Sequence, residues 1–151
     1  MARIIAYQST TPATDDLLLG TQKTTSGTNK TNPTKNFTVD SVVQAGLGYT
    51  VYTALVTQTG TGAPVATILK NNTGYTYTWA RTSTGEYTIT ASDNAFTNNK
   101  TLICLMGQRA FNIPLNFRRD SDTVISLFSA NSSGTSTDGV IADLSFEIRI
   151  Y

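Results

Sequence analysis

The sequence contains no histidine among its 151 residues. This absence excludes Ser-His-Asp and Cys-His catalytic groups, His-based metal sites and the usual proton carrier near neutral pH. The ten Asp and Glu residues are dispersed, and no spacing nominates a pair for glycoside hydrolysis. We therefore predict no catalytic residue and no cofactor, and we expect that the chain is not an enzyme. A small depolymerase is the enzymatic alternative.

Charge and long apolar runs are also scarce. Charged residues make up 14% of the chain and its net charge is +1, so no basic field is present to hold nucleic acid or anionic lipid. No run approaches the roughly 20 apolar residues of a membrane span. We expect neither nucleic acid nor a membrane as a partner.

Cysteine occurs once, and this excludes an internal disulfide bond. Cys104 lies in the apolar run of residues 102–106, which is typical of a small buried hydrophobic side chain. Residues 1–12 have too few apolar residues before Tyr7 for a signal peptide. We therefore expect synthesis in a cytoplasm without export by a standard route.

Threonine and glycine are abundant, and both favour a β-protein. Thr occurs 28 times and Gly 11 times, and stretches of alternating apolar and polar residues run from residue 49 to the end. These patterns predict an all-β fold, in which an eight-stranded antiparallel jelly-roll sandwich over residues 46–151 follows an N-terminal arm over residues 1–45. One short helix is expected.

Several strand faces are predicted individually. Apolar residues alternate at 144, 146, 148 and 150 and at 111, 113, 115 and 117, which places one face of each strand on a core. Residues 102–106 are apolar on both faces, as in a strand that is covered twice, and in a small sandwich the second cover often comes from a neighbouring subunit. The turn residues 71–74 predict a hairpin between residues 65–70 and 75–81. Pro114 predicts an edge strand or a bulge.

The arm is poor in apolar side chains. Residues 8–36 hold a single apolar cluster in a tract of Thr, Ser, Asn and Lys, and such a segment cannot offset the entropy of ordering it alone. Short strands are predicted at 3–7, 16–20 and 37–39, with a polar loop over 21–36. Asp40 is the predicted N-cap of a helix over 41–45 that stops at Gly46 or Gly48.

An arm of this kind must stay mobile or dock on something larger. We predict that its apolar residues and one carboxylate form the docking surface. The predicted docking residues are Asp16, Leu17, Leu18, Leu19, Phe37, Val39, Val42 and Val43.

Two further ligand classes are considered for the sandwich. Tyr75, Tyr77 and Trp79 share one strand face and are possible glycan contacts, because aromatic faces pack on sugar rings; packing in the core is the alternative. Asp120, Asp122, Asp138 and Asp143 could converge on calcium, whereas charged turns are the simpler interpretation. We predict no metal site.

The arm also contains two short segments with a recognisable sequence. Residues 13–21 (ATDDLLLGT) and 34–39 (TKNFTV) resemble the N-terminal segment of structural proteins from tailed phages, including crAss-like phages. Residues 64–69 and 79–87 are similar to trimeric jelly-roll knobs of the tumour-necrosis-factor type on phage head and tail fibres. The resemblance implies a homotrimer, with the arm on the virion and the knob outward.

These observations lead to one functional expectation and one alternative. The chain is expected to be a non-enzymatic virion protein, a trimeric head fibre or decoration protein on the capsid surface, made in the host cytoplasm. Its arm would dock on the major capsid protein or another virion protein. The alternative is a receptor-binding module of a tail fibre or baseplate that recognises host-surface glycan.

Overall fold

The computed structural model describes residues 11–21, 34–106 and 114–151. The chain divides into two compact units, Met1–Gly48 and Tyr49–Tyr151, which we name the arm unit and the sandwich. The strand expected at residues 3–7, most of the expected polar loop (22–33), and Phe111 and Ile113 lie outside the described residues.

The arm unit contains a two-stranded sheet and a helix. Strands β1 (Leu17–Thr21) and β2 (Thr34–Thr38) are antiparallel, with Leu17 opposite Thr38. The strand expected at residues 37–39 is longer than predicted and begins at Thr34. Pairing with β1 extends this strand into residues 34–36, which were expected to belong to the polar loop.

The helix begins earlier than the sequence predicts. Helix α1 spans Val39–Leu47, and its N-cap is Thr38, not Asp40. The Thr38 Oγ1 atom accepts a hydrogen bond from the Ser41 backbone N–H at 3.1 Å. Asp40 lies in the first turn instead, where a carboxylate interacts favourably with the helix dipole. The helix ends at Gly48, which has the left-handed φ of 70° expected of a C-cap glycine.

In its described residues, the sandwich contains eight strands in two antiparallel four-stranded sheets. Their orders are β4-β3-β10-β7 and β5-β6-β9-β8. The described chain is therefore all-β with one short helix; its ten strands lie in three sheets, and the expected eight-strand total did not count the arm hairpin. The strands are β3 (Thr50–Thr57), β4 (Val65–Asn71), β5 (Tyr77–Ser83), β6 (Glu86–Ala91), β7 (Thr101–Met106), β8 (Leu115–Arg119), β9 (Val124–Ser129) and β10 (Leu144–Ile150).

The expected hairpin between residues 65–70 and 75–81 is wrong. Strand β4 pairs with β3, and β5 pairs with β6, so residues 72–76 cross from one sheet to the other. Asn71 supports this crossing, because its side chain donates to the Tyr75 carbonyl at 2.8 Å and accepts from the Thr73 hydroxyl at 2.8 Å. The turn residues at 71–74 therefore form a short connection between the two sheets instead of a hairpin turn.

Both sheets contribute to one hydrophobic core. Alternate residues of β3, β6, β9 and β10 point into it, and the predicted core face of β10 is confirmed. Phe96 and Ile141 close the core from the loops. The fully buried side chains from the strands include Tyr52, Val56, Tyr87, Ile89, Ile125, Leu127, Leu144, Phe146 and Ile148.

The edge strands depart partly from the predicted burial. Leu115 of β8 packs against the core, but Phe117 on the same face is exposed because β8 ends its sheet. The edge position predicted from Pro114 is confirmed. Among the described strands, β7 lies at an edge, and its outward Leu102 is exposed in the single chain; the second cover expected from a neighbouring subunit stays a prediction.

The turn between β5 and β6 fits against the loop that follows β9. Gly85 has a φ of 70°, and a Cβ built on it would lie 2.4 Å from the Ser129 carbonyl oxygen and 2.6 Å from the Thr137 nitrogen. Such contacts are impossible for a real side chain, so this turn requires glycine both for its conformation and for its closeness to backbone.

We expect Gly85→Ala to destabilise the sandwich much more than Gly74→Ala. Gly74 also has a positive φ, 80°, but no atom lies within 4 Å of the position that a Cβ would occupy there. Gly74→Ala, the control, should therefore lose only the roughly 1–2 kcal/mol of stability that a left-handed conformation costs alanine. Gly85→Ala loses this and also suffers the backbone clash. Urea unfolding of both variants measures the difference; equal losses would contradict the close packing at Gly85.

Candidate functional site

The arm unit places its turn against the start of its helix. The Val39 N–H donates to the Asp16 carbonyl at 2.9 Å, and the Asp40 N–H donates to the Thr14 carbonyl at 3.1 Å. The Asp16 carboxylate accepts from the Ala13 N–H at 2.8 Å and so closes the turn. These bonds hold β1 beside α1 and fix the spacing between their side chains.

The space between β1 and α1 is an apolar groove with a volume of about 500 Å³. Six of the eight predicted docking residues line it, and proline is the additional lining residue that sequence reasoning missed. The position of Pro12 just before the turn at residues 13–16 was the sequence signal from which it could have been predicted. The lining residues are Pro12, Asp16, Leu17, Leu18, Val39, Val42 and Val43.

The two remaining predicted residues lie elsewhere in the arm unit. Leu19 is 78% exposed and does not line the groove. Phe37 is half-buried, and its ring covers Gly20, where a Cβ would lie 3.1 Å from Phe37 Cε2. Phe37 therefore supports the hairpin itself.

The groove is open to solvent and chemically plain. Leu17 is 62% exposed and Val43 is 51% exposed, and no residue of α1 is buried. Asp16 is its only charged residue, and the carboxylate of Asp16 already accepts a hydrogen bond within the turn. This combination suits the binding of apolar side chains, and the groove lining offers no nucleophile or acid–base pair.

The possible glycan contacts lie against the core of the sandwich. Tyr75, Tyr77 and Trp79 are partly buried and pack on the core cluster. The Tyr77 ring lies 4.4 Å from the Tyr52 ring, and the Trp79 ring lies edge-on to Phe146 at 5.1 Å. These contacts use the aromatic rings for packing between the sheets.

Aromatic packing also changes the titration of these phenols. Burial raises the pKa of Tyr52 and of Tyr77 above the ordinary value, although each phenol also has a side-chain hydrogen-bond partner. The Tyr77 hydroxyl donates to Thr73 Oγ1 at 3.0 Å. Both rings are therefore part of the interior packing of the sandwich.

The four aspartates considered for calcium have separate partners. Asp120 pairs with Arg118 at 2.6 Å, Asp122 pairs with Arg119, and Asp143 accepts from the Thr57 hydroxyl at 3.1 Å. Within residues 11–21, 34–106 and 114–151, no group of three or more His, Cys, Asp or Glu side chains is arranged to hold a metal ion. Asp120 and Asp122 support the turn between β8 and β9, whereas Asp143 joins the end of β3 to the loop before β10.

Asp138 is the most heavily bonded of the four. It accepts hydrogen bonds from Arg81 Nη2 at 2.7 Å, from the Gly85 N–H at 3.0 Å and from the Tyr87 hydroxyl at 2.9 Å. Arg81 foremost, then Gly85 and Tyr87, stabilise the charged form and hold the pKa of the Asp138 carboxyl well below its ordinary value. Burial, foremost, raises the pKa of Tyr87 to about 12. Asp138 thus ties the loop after β9 to β5 and β6.

We expect Asp138→Asn to reduce the stability near neutral pH and to weaken its dependence on acid. The lowered pKa means that the carboxylate stabilises the fold above about pH 4, the ordinary carboxyl range, and that this contribution is lost as the pH falls through the folded pKa. Urea unfolding at about pH 7 and about pH 3 measures the change. The control is Asp93→Asn, at an exposed position. A variant as stable and as acid-sensitive as the wild type would refute this role.

Within the part of the chain that the structure describes, no helix is long and apolar enough to cross a membrane. Comparison of the chain with protein-family models, curated proteins and solved structures gives no match. The candidate site is therefore defined by its own geometry: an open apolar groove on a compact unit separate from the sandwich.

Proposed function

We propose that this chain is a non-enzymatic structural protein of a phage virion, a trimeric head fibre or decoration protein displayed on the capsid surface. The arm unit attaches it to the major capsid protein or to another virion protein, and the sandwich is the displayed part. The observation that carries the proposal is the open groove between β1 and α1, whose lining includes Leu17 and Val43.

The energetics of the arm unit favour attachment through this groove. Covering one exposed Leu or Val side chain contributes roughly 1.5–3 kcal/mol, whereas association costs roughly 4–15 kcal/mol in lost freedom of motion. Several side chains must therefore be covered together. The groove offers Leu17, Leu18, Val42 and Val43 together as exposed apolar residues on one unit, so that a partner seated in it covers several side chains at once.

The sandwich is suited to display because its stability does not require a partner's core. Tyr52, Ile89 and Phe146 are each at most 1% exposed, and the side chains of both sheets form one cluster. A domain of this kind remains folded when its other surfaces face solvent. The receptor-binding alternative would use Tyr75, Tyr77 and Trp79, whose rings contact the core, so we favour attachment as the function.

The strand order also supports a reduced jelly roll. Without β4 and β5, the sheets have the orders β3-β10-β7 and β6-β9-β8. The first strand then lies beside the last, and the second lies beside the last but one, as in a jelly roll. The sequence resemblance of residues 13–21 and 34–39 to phage structural proteins is a separate argument for the virion surface as the location and for synthesis in the host cytoplasm.

We expect Val43→Lys to reduce incorporation into virus particles by about tenfold or more. A lysine in the groove removes the further burial of Val43, which is 51% exposed, and places a charge where a partner would have to desolvate it. A combined loss of about 1.4 kcal/mol corresponds to a factor of ten in binding. The matched control is Ala45→Lys, an exposed position on the same helix that does not line the groove. Quantitative mass spectrometry of purified particles measures the copies that are incorporated.

Circular dichroism of the two purified variants verifies that both keep the fold. Equal incorporation of Val43→Lys and wild type would show that the groove is not the attachment surface. Absence of the wild-type chain from purified particles would refute the virion location altogether.

A further inference from the structure

The carboxylates of the arm unit are gathered at one end of the groove. Asp16 lines the groove, and Asp15 precedes it in the turn at residues 13–16. The Asp40 N–H donates to the Thr14 carbonyl at 3.1 Å, so the first turn of α1 lies against the same turn of the chain. We call this the acidic end of the groove, where β1 and α1 both begin.

No basic residue near the acidic end balances its three aspartates within the described part of the chain. The described arm residues, 11–21 and 34–48, contain three acidic residues and one basic residue, Lys35, which leaves a net charge of −2. Lys35 pairs with Gly20, towards the other end of the hairpin. The ion pairs of the described residues all lie in the sandwich. The acidic end therefore keeps a negative potential.

The helix dipole offsets only part of this charge. The N-terminus of α1 contributes roughly half an elementary positive charge, against three carboxylates. Asp15 and Asp40 are both exposed, and Asp16 accepts its hydrogen bond from the Ala13 N–H through one oxygen, Oδ2. The three carboxylates therefore remain accessible to a molecule seated in the groove.

A partner without charge would meet the acidic end at a cost. Covering the apolar lining brings a dry surface close to the carboxylates, and the removal of water from a charge is unfavourable unless an opposite charge replaces it. A lysine or arginine placed there supplies that charge, and it also steers the approach of the partner. The charge of the groove therefore selects among apolar partners.

We infer that the partner segment in the groove is apolar and carries basic residues at the end that meets Asp15, Asp16 and Asp40. The inference rests on the proposed function, because it concerns the partner of the same groove, and it fixes the direction in which that partner lies. Apolar burial supplies most of the affinity. The exposed charge pairs add little affinity, and they act mainly on the rate of association and on its dependence on salt.

Binding of the purified full chain to virus particles that lack it tests the inference, at about 0.1 M and about 1 M salt, where the Debye length falls from about 10 Å to about 3 Å. The wild type is expected to associate more slowly at the higher salt concentration. Asp15→Lys is expected to bind roughly two- to fivefold more weakly than the wild type at the lower salt concentration. This difference should nearly vanish at the higher one.

A matched pair of variants separates the acidic end from the total charge. Asp15→Asn and Thr34→Lys each raise the net charge by one unit. Thr34 is exposed and lies four residues before Thr38 on β2, which is about 13 Å at about 3.3 Å per residue and exceeds the Debye length at about 0.1 M salt. Asp15→Asn should slow association, and Thr34→Lys should not. Circular dichroism verifies that both variants keep the fold.

The outcomes distinguish the partner's charge from the groove itself. If Val43→Lys weakens binding at both salt concentrations while Asp15→Lys binds like the wild type, the basic partner is refuted and the groove remains the attachment surface. If Val43→Lys also binds like the wild type, the proposed function fails. Wild-type association that is independent of salt would likewise overturn the inference.

Two other occupants of the groove are tested separately. Sedimentation velocity should give the same mass for the wild type and Val43→Lys; a smaller mass for the variant would mean that a second copy fills the groove, and this would overturn the inference. Ile5→Lys changes residues 1–10, which lie outside the described residues, and should bind particles like the wild type. Tighter binding would identify this chain's own segment as the occupant and would also overturn it.

Discussion

The pairing of β10 with both β3 and β7 is the constraint on which the rest of the sandwich depends. Strand β10 lies inside its sheet and places Leu144, Phe146 and Ile148 in the core. The last strand of the chain thus joins the first strand of the sandwich to its fifth. Because the contacts of β10 with β3 connect residues about 90 to 100 positions apart, the sheet is complete only when the whole sandwich has folded.

The arm unit, in contrast, is held together by contacts between residues close in the sequence. Its hairpin and helix are held by backbone bonds such as that from Val39 N to the Asp16 carbonyl, yet α1 buries no residue. Ordering the backbone costs roughly 1–2 kcal/mol per residue, and local hydrogen bonds alone return only part of this. The apolar groove therefore represents stabilisation that the unit can gain only when the groove is covered, and this physical need supports the proposed attachment.

The sequence predicted those features that local pattern determines. Alternation placed the β10 face in the core, and Pro114 placed β8 at an edge. The error at residues 71–74 arose because the same turn residues serve a hairpin and a crossing between sheets, and only the partners of β4 and β5 decide which forms. Thr38 and Asp40 are both good N-caps, and the end of β2 selects the former. Apart from Asp16, the docking residues were chosen for being apolar. Their assembly into a groove depends on backbone bonds that no local pattern encodes, and docking itself stays a prediction.

The arginines of the sandwich form ion pairs within the molecule, and this limits the possible sources of binding energy for a partner. In its described part every arginine has an intramolecular carboxylate partner: Arg81 with Asp138, Arg118 with Asp120, Arg119 with Asp122 and Arg149 with Glu147. Charges engaged in this way stabilise turns and strand faces, and exposed pairs add only about 0–1 kcal/mol each. A partner that displaced them would have to replace those bonds before gaining anything. We therefore expect association to draw on apolar burial, which the molecule offers at the groove of the arm unit.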